Sequence, residues 1–424
     1  MAWRKQWTGI VCLTIFTLCG FQTASDTASA QTPPEKPAQI RQFESAILAG
    51  EVRRHIEFLA SRELKGRSGR EARIAADYIK NHFAKLRLKP LFLGGSYFQE
   101  IPGATRGNRK SSHQKNGDQK NGTRKISERK TVIGRNVGAW MPGSDPRLRD
   151  ELIIVSAHYD HLGVRDGQIY RGADDNASGV AMMLEVARQL ADAKVKPRRS
   201  MVFIGFDLEE RLLWGSRWFA AHPPWPLKRV KLFLTADMIG RSLGCLPLPA
   251  VFVLGSEHAP MLKGVLDRVG TPNGLEVARL GIDLIGTRSD YAPFRARKVP
   301  FLFISTGEHP DYHTPQDLPE RIDYEKAARV SGLVLKICQE VADADQAPEW
   351  TDDLKIDLDE PRAINRIATL LLKIEDDQKF NDLQRFIVSQ AQTKTRQIIE
   401  RGQMTPDERK WLIRMSQLML LSVF

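Results

Sequence analysis

Three short apolar runs constrain this chain most, because each breaks off at or just before a side chain able to bind a metal. Residues 152–157 lead to His158, residues 200–206 stop shortly before Glu209, and residues 231–236 lead to Asp237. Near-continuous apolar strands of this length suit a sheet covered on both faces, as parallel strands usually are. Between the first two runs, Val180, Met183, Leu184, Val186, Ala187 and Leu190 recur at helical spacing. Strand, helix and strand in that order indicate an α/β unit, in which ligands gather at the carboxyl ends of the strands.

Further strands are expected over residues 131–133, 136–140, 251–254 and 299–304, and helices over 40–61, 71–86 and 324–341. The long first helix would carry a stripe of Ile47, Val52, Ile56 and Leu59. The fold class expected is therefore α/β, a mostly parallel mixed β-sheet sandwiched between helices. Beyond a break at Pro348, residues 363–373, 378–401 and 406–420 read as helices of a C-terminal extension, residues 346–424. Thr405 followed by Pro406 and two acids is a helix-start signal for the last of these.

A chain of 424 residues with 42% hydrophobic content exceeds one ordinary domain and can bury a sizeable core. Its first thirty residues have the layout of a secretory signal: Arg4 and Lys5, an apolar stretch over 10–21, and Ala28-Ser29-Ala30. That stretch is short for a membrane span. A secreted or periplasmic protein is expected, without stable membrane insertion after cleavage and with residues 31–39 as a linker. Cys245 and Cys338 would remain; whether they pair is open, and no C-x-x-C spacing exists. The net charge of +12 is concentrated in residues 103–130, with nine Lys and Arg against two Asp and Glu. Such a polar stretch cannot bury enough surface to order itself and reads as a disordered basic insertion. No aromatic side chain interleaves the charges, so nucleic acid is not an expected partner. The oligomeric state is not legible.

The polar residues at the strand ends carry the chemistry. His158 is followed two positions later by Asp160, the kind of carboxylate that holds the second ring nitrogen of a metal-bound imidazole. His161 competes with His158 but lies off the strand end. Asp174 and Asp175 occupy a tight polar loop, residues 172–179, running into the helix. Asp, Asn and Ser there also suit a helix cap; the alternative is one carboxylate bridging two ions, and spacing does not choose between the two Asp. Glu209 and Glu210 follow a buried strand and precede Leu212, Leu213 and Trp214. Burying two carboxylates without cations is costly, and a metal on one with a shared proton on the other resolves that cost. This division of labour suits metal-assisted hydrolysis. Trp214, Trp218 and Trp225 read as core. His313 lies in a loop after the run at 299–304, and Pro310 and Pro315 exclude a helix joining it to His309.

Together these segments resemble the bacterial leucyl aminopeptidase family of co-catalytic zinc peptidases, with glutamate carboxypeptidase II and the glutaminyl cyclases as distant relatives. The likeness extends over residues 40–342 and is densest over 136–324. It implies a zinc-peptidase, phosphorylase/hydrolase-like fold over residues 40–345, two Zn²⁺ per chain and peptide substrates. By motif, His158 and Asp237 would bind one zinc, Glu210 and His313 the other, and Asp175 would bridge them. Glu209 falls on the family's general base and Asp160 on the residue orienting the first histidine. Tyr312 falls where some members place an oxyanion-stabilising tyrosine, and Ser289-Asp290 on a substrate-side loop. Arg211-Leu212 departs from the small residue often found after the glutamate pair, and Tyr291 replaces a frequent histidine. The resemblance implies a secreted dinuclear zinc aminopeptidase. The alternatives are a carboxypeptidase using Arg241, Arg288 or Arg295 for the substrate carboxylate, a single-zinc glutaminyl cyclase, and an inactive binding ectodomain. The last would be expected to lose ligands, and none is lost here.

Overall fold

The computed structural model describes residues 41–103, 131–375, 378 and 380–422. The signal and linker expected over residues 1–39, and all but the first residue of the basic insertion, lie outside the described residues. Nine strands form the main sheet: β1 (Lys89–Pro90), β2 (Phe98–Pro102), β3 (Val132–Met141), β4 (Leu152–His158), β5 (Ser200–Phe206), β6 (Val230–Ala236), β7 (Ala250–Leu254), β8 (Glu276–Leu280) and β9 (Phe301–Ser305). Their order is β8-β7-β9-β6-β4-β5-β3-β1, with β2 also paired to β3. The four central strands β9, β6, β4 and β5 run parallel. β3 joins β5, and β7 joins β9, in the antiparallel sense. The sheet is mixed as expected, with a parallel block of four strands at its centre.

The apolar runs are continuous because both faces of that block are covered. Ile153, Val155 and Ala157 of β4 face one core, shared with α1 (Ala49–Leu59), α2 (Arg70–Lys85) and α3 (Gly179–Asp192). Leu152 and Ile154 face the other, an aromatic cluster that includes Phe206 and Phe233. There α4 (Trp214–Ala221) contributes Phe219, while α5 (Met261–Val269) lies across the sheet with the first core. The short α6 (Ala292–Arg295) lays Phe294 flat on Phe233, with ring centres 3.7 Å apart. The long α7 (Tyr324–Asp343) packs on α3 and completes the first layer. The tryptophans depart from expectation: Trp225 packs against the aromatic core, but Trp214 is 45% exposed.

Several element boundaries differ from the sequence reading: the strands expected over residues 131–133 and 136–140 form the single strand β3, and the helix expected from residue 363 starts at Asp359. The helix expected from residue 40 begins at Ala49, while Gln42–Phe43 pair in parallel with Thr271–Pro272. The cause is Ser45, whose hydroxyl accepts from the Ile47 N–H and donates to the Ala328 carbonyl at 2.9 Å, holding a non-helical turn. The C-terminal helices are α8 (Asp359–Lys373), α9 (Asp382–Arg401) and α10 (Pro406–Ser422). α9 starts four residues later than periodicity suggests, because Asn381 and Gln384 form a reciprocal capping box. The three helices close a third core with Leu246, Leu248, Ala250 and Ala278 from the β7 and β8 side of the sheet. Cys245 is exposed, Cys338 is buried in α7, and both are free thiols. Among the described residues no helix is long and apolar enough to cross a membrane.

Leu371 of α8 is fully buried in the third core. Leu371→Ala is expected to cost about 2–5 kcal/mol. Trp411, packed against the same core, supplies a fluorescence signal, and its urea midpoint should fall accordingly.

Candidate metal centre

The carboxyl ends of β4, β5, β6 and β9 lie side by side, so the loops leaving them meet in one crevice. His158 is the last residue of β4 and is 1% exposed. Its Nε2 lies 3.3 Å from Asp237 Oδ1, just past β6, and 3.3 Å from Asp175 Oδ1, in the loop before α3. His313, in the loop after β9, places Nε2 at 3.1 Å from Asp175 Oδ2 and 3.1 Å from Glu210 Oε2. The two oxygens of Asp175 therefore face two separate sets of donors. One set is His158, Asp175 and Asp237; a second joins His161, Asp175 and Glu210, with ligand atoms within 4.8 Å of one another in each. All five residues expected as ligands converge, and of the two aspartates in the loop Asp175 is the one that faces both sets. Asp174 turns away, accepting the Gly240 N–H at 2.6 Å.

These donors fit divalent cations better than they fit one another. Asp175 Oδ2 and Glu210 Oε1 are buried without a hydrogen-bond partner, as are both ring nitrogens of His161. Buried acceptors left unpaired carry a desolvation penalty of about 1–3 kcal/mol, more when charged. Ligand atoms around a tetrahedral zinc, each about 2.0–2.1 Å from the ion, stand about 3.3 Å apart. The distances above cluster around that value.

Electrostatics separate the adjacent glutamates. Burial lifts the Glu209 carboxyl well above the usual carboxylate range; His158 opposes this, and Asp290 and Asp237 add to it. Burial and Asp175 also push Glu210 upward, but the neighbouring imidazoles of His161 and His313 hold it below its ordinary value. Asp175 follows the same logic: burial would raise it, yet the imidazoles of His161, His158 and His313 keep it well below. Burial would lower His313, but Asp175 and Glu210 push it up to about 10. Asp290 is fully buried, which pushes its carboxyl up to about 6. Its neighbour Ser289 donates to Asp237 Oδ2 at 2.9 Å. Tyr312 stacks on His313 with ring centres 3.9 Å apart. Burial raises its hydroxyl, reinforced by Asp175 and Glu210.

Asp160 lies beside His158 Nδ1 and makes further contacts. The nearest acceptor to His158 Nδ1 is the Asp160 main-chain carbonyl, at 3.2 Å; the Asp160 carboxylate is 3.8 Å away. That carboxylate also accepts the N–H groups of Glu209 at 3.0 Å and Glu210 at 3.4 Å. It thus anchors the loop that presents both glutamates. The loop needs anchoring, because Leu208, Leu212 and Leu213 all have positive φ, a region costly for such residues.

Sequence reasoning missed the residues that hold the loops together. Arg67 is completely buried, and its guanidinium donates to the carbonyls of Tyr159, Leu59, Arg171, Gly172 and Asp175 at 2.7–3.2 Å. Burial lowers its pKa to about 10, although Asp175, Asp317 and Asp160 oppose the shift. The available signal was Gly66 beside it: at φ +74, a Cβ would fall 2.1 Å from the Tyr170 carbonyl. Asp317 is also buried, and its two oxygens accept from Asp174 N and Asp175 N at 2.9 and 3.0 Å. Two of the three cations named for a carboxylate pocket are engaged, Arg241 with Asp311 at 3.0 Å and Arg288 with Glu308; the third, Arg295, makes no ion pair among the described residues.

Residues 136–338 match Peptidase family M28, and this segment contains every residue expected to bind metal, together with Glu209. The match is to that family as a whole, not to leucyl aminopeptidases or glutamate carboxypeptidase II in particular. Aminopeptidase YwaD of Bacillus subtilis is 28% identical over 211 residues, 47% of this chain and 43% of that protein. Leupeptin-inactivating enzyme 1 of Streptomyces exfoliatus is 30% identical over 170 residues, 39% of this chain and 34% of that protein. The glutaminyl-peptide cyclotransferase of Boiga dendrophila is 28% identical over 221 residues, 43% and 60% respectively. The chain thus covers less than two thirds of each of these relatives. Among solved structures, the zinc aminopeptidase BSAP from Bacillus subtilis superposes with a TM-score of 0.51 at 18% identity, over 74% of this chain and all of that one. Porphyromonas gingivalis glutaminyl cyclase gives 0.51 at 17% identity, over 70% and 99%. Both share the fold.

Arg67→Met would leave five carbonyls and several carboxylates without their cation. It is expected to destabilise the protein by about 3 kcal/mol or more. Hydrogen exchange should speed up selectively in residues 172–178, measured by mass spectrometry.

Proposed function

We propose that this chain is a zinc-dependent aminopeptidase, exported under its N-terminal signal and carrying two ions per chain. The observation behind this reading is the Asp175 carboxylate, whose Oδ1 faces His158 and whose Oδ2 faces His313. On this reading His158, Asp175 and Asp237 hold one ion, and Asp175, Glu210 and His313 hold the other. Zinc in these positions supplies Lewis-acid polarisation of a peptide carbonyl and a water acidic enough to ionise near neutral pH.

The chain's own residues do the rest. Glu209 takes a proton as water adds to the scissile carbonyl and delivers it to the departing amine. Its buried setting suits a group that must hold and release a proton, whereas Glu210 stays ionised as a ligand. The hydroxyl of Tyr312, kept protonated by its surroundings, is the group to donate a hydrogen bond to the developing oxyanion. Asp160 keeps the glutamate loop in register. The substrate's free α-ammonium suits the acidic wall of Asp237, Asp290 and Glu209. Of the three arginines named for a substrate carboxylate, Arg241 and Arg288 are already paired with acids, which leaves Arg295 alone to meet it. The likeness to glutaminyl cyclotransferases keeps cyclisation of N-terminal glutamine as the second reading.

Release of N-terminal residues from a panel of amino-acid p-nitroanilides, alongside cyclisation of a glutaminyl peptide, separates the two. Chelation should abolish activity, and Zn²⁺ should restore it. Glu209→Gln is expected to lower kcat by about 10²–10⁴-fold while leaving metal content at two ions. Wild-type turnover by that variant would remove Glu209 from the mechanism.

A further inference from the structure

His161 lies three residues beyond His158, in the loop that follows β4, and has so far been given no role. Its ring is completely buried, with Nδ1 at 2.8 Å from Glu210 Oε1 and 3.6 Å from Asp175 Oδ2. The contact with Glu210 is short but out of line for a hydrogen bond: Oε1 and both ring nitrogens have no hydrogen-bond partner. A nitrogen and a carboxylate oxygen held this close, yet aimed past each other, are both directed at a third point. His313 approaches the same carboxylates from another side, facing Asp175 Oδ2 and Glu210 Oε2, with its ring centre 5.9 Å from that of His161.

The slot for the ring is built. Gly172 has φ +58, and a Cβ there would lie 2.5 Å from His161 Cγ, so no larger residue could stand beside the imidazole. The His161 N–H is tied to the Arg67 carbonyl at 3.2 Å. Arg67 in turn donates to Gly172 and Asp175. One buried cation thus fixes the backbone on both sides of the ring.

We propose that His161 is a fourth protein ligand to the second ion, which His161, Asp175, Glu210 and His313 together enclose. This rests on the dinuclear reading above and adds an asymmetry to it. The first ion has three protein ligands, His158, Asp175 and Asp237, and keeps a position for water or substrate. The second would have four, and would hold the loops carrying Glu210, Asp175 and His313 together.

The test uses full-length wild-type protein, His161→Ala and His161→Asn, the latter keeping a polar side chain in the slot. Zn²⁺ binding is followed by competition with a chromogenic chelator, and the Co²⁺-substituted proteins by visible absorption. The wild type should bind two ions. Both variants should keep one at wild-type affinity and bind the other at least 100-fold more weakly, with loss of the tetrahedral Co²⁺ bands of that ion. If the wild type binds two ions and either folded variant matches it in both affinities and spectrum, His161 is no ligand and the dinuclear reading stands. A wild type that takes up only one ion overturns both.

Discussion

The crevice at the ends of the central strands concentrates carboxylates where water cannot screen them, and most of the surrounding structure answers that repulsion. Asp160, Asp175 and Asp290 are buried, and Asp237 and the two glutamates lie beside them. Like charges at such distances interact strongly in a low-dielectric interior. Arg67, buried directly behind Asp175, offsets part of this charge through the backbone and through space. The imidazoles of His158, His161 and His313 offset more. The unpaired oxygens that remain on Asp175 and Glu210 point to divalent cations as the missing part of the balance.

The sheet explains why these groups meet at all. β9, β6, β4 and β5 are adjacent and parallel, so four loops leave the same edge. Covering both faces with helices leaves that edge as the place where polar side chains can gather beside a rigid support. The loops accept unfavourable backbone geometry there. Leu208, Leu212, Leu213, Met238 and His313 all take left-handed conformations, at about 1–3 kcal/mol each. Asp160 and Asp317 hold two of these loops by accepting pairs of main-chain N–H groups. Loops held in this way keep ligand atoms near ion-binding distances.

Glu209 and Glu210 show how one peptide bond can separate two electrostatic environments. Successive residues in this turn send their side chains to different neighbours, one toward Asp290 and Asp237, the other between two imidazoles. The first is pressed toward its protonated form and the second toward its ionised form. On the function proposed above, a proton carrier and a metal ligand arise from the same residue type.

The central strands, the helices between them and the polar side chains at the strand ends were legible in the chain, because burial on two faces and helical amphipathicity leave local periodic traces. Ser45 and the Asn381 capping box moved two boundaries through hydrogen bonds that hydrophobic spacing does not encode. Arg67 was invisible, since a lone arginine in a glycine-bounded loop reads as solvated until the loops around it close. Asp160 was legible as the neighbour of His158, but its hold on the main chain of Glu209 and Glu210 was not. By itself, the sequence determined which donors stand at which strand ends. Only the tertiary structure decided which donors face each other: His158 meets Asp237 across 79 residues, Arg67 meets Asp175 across 108 and Asp174 meets Asp317 across 143. No local period spans such separations, so these pairings arise from the packing of the sheet and its loops.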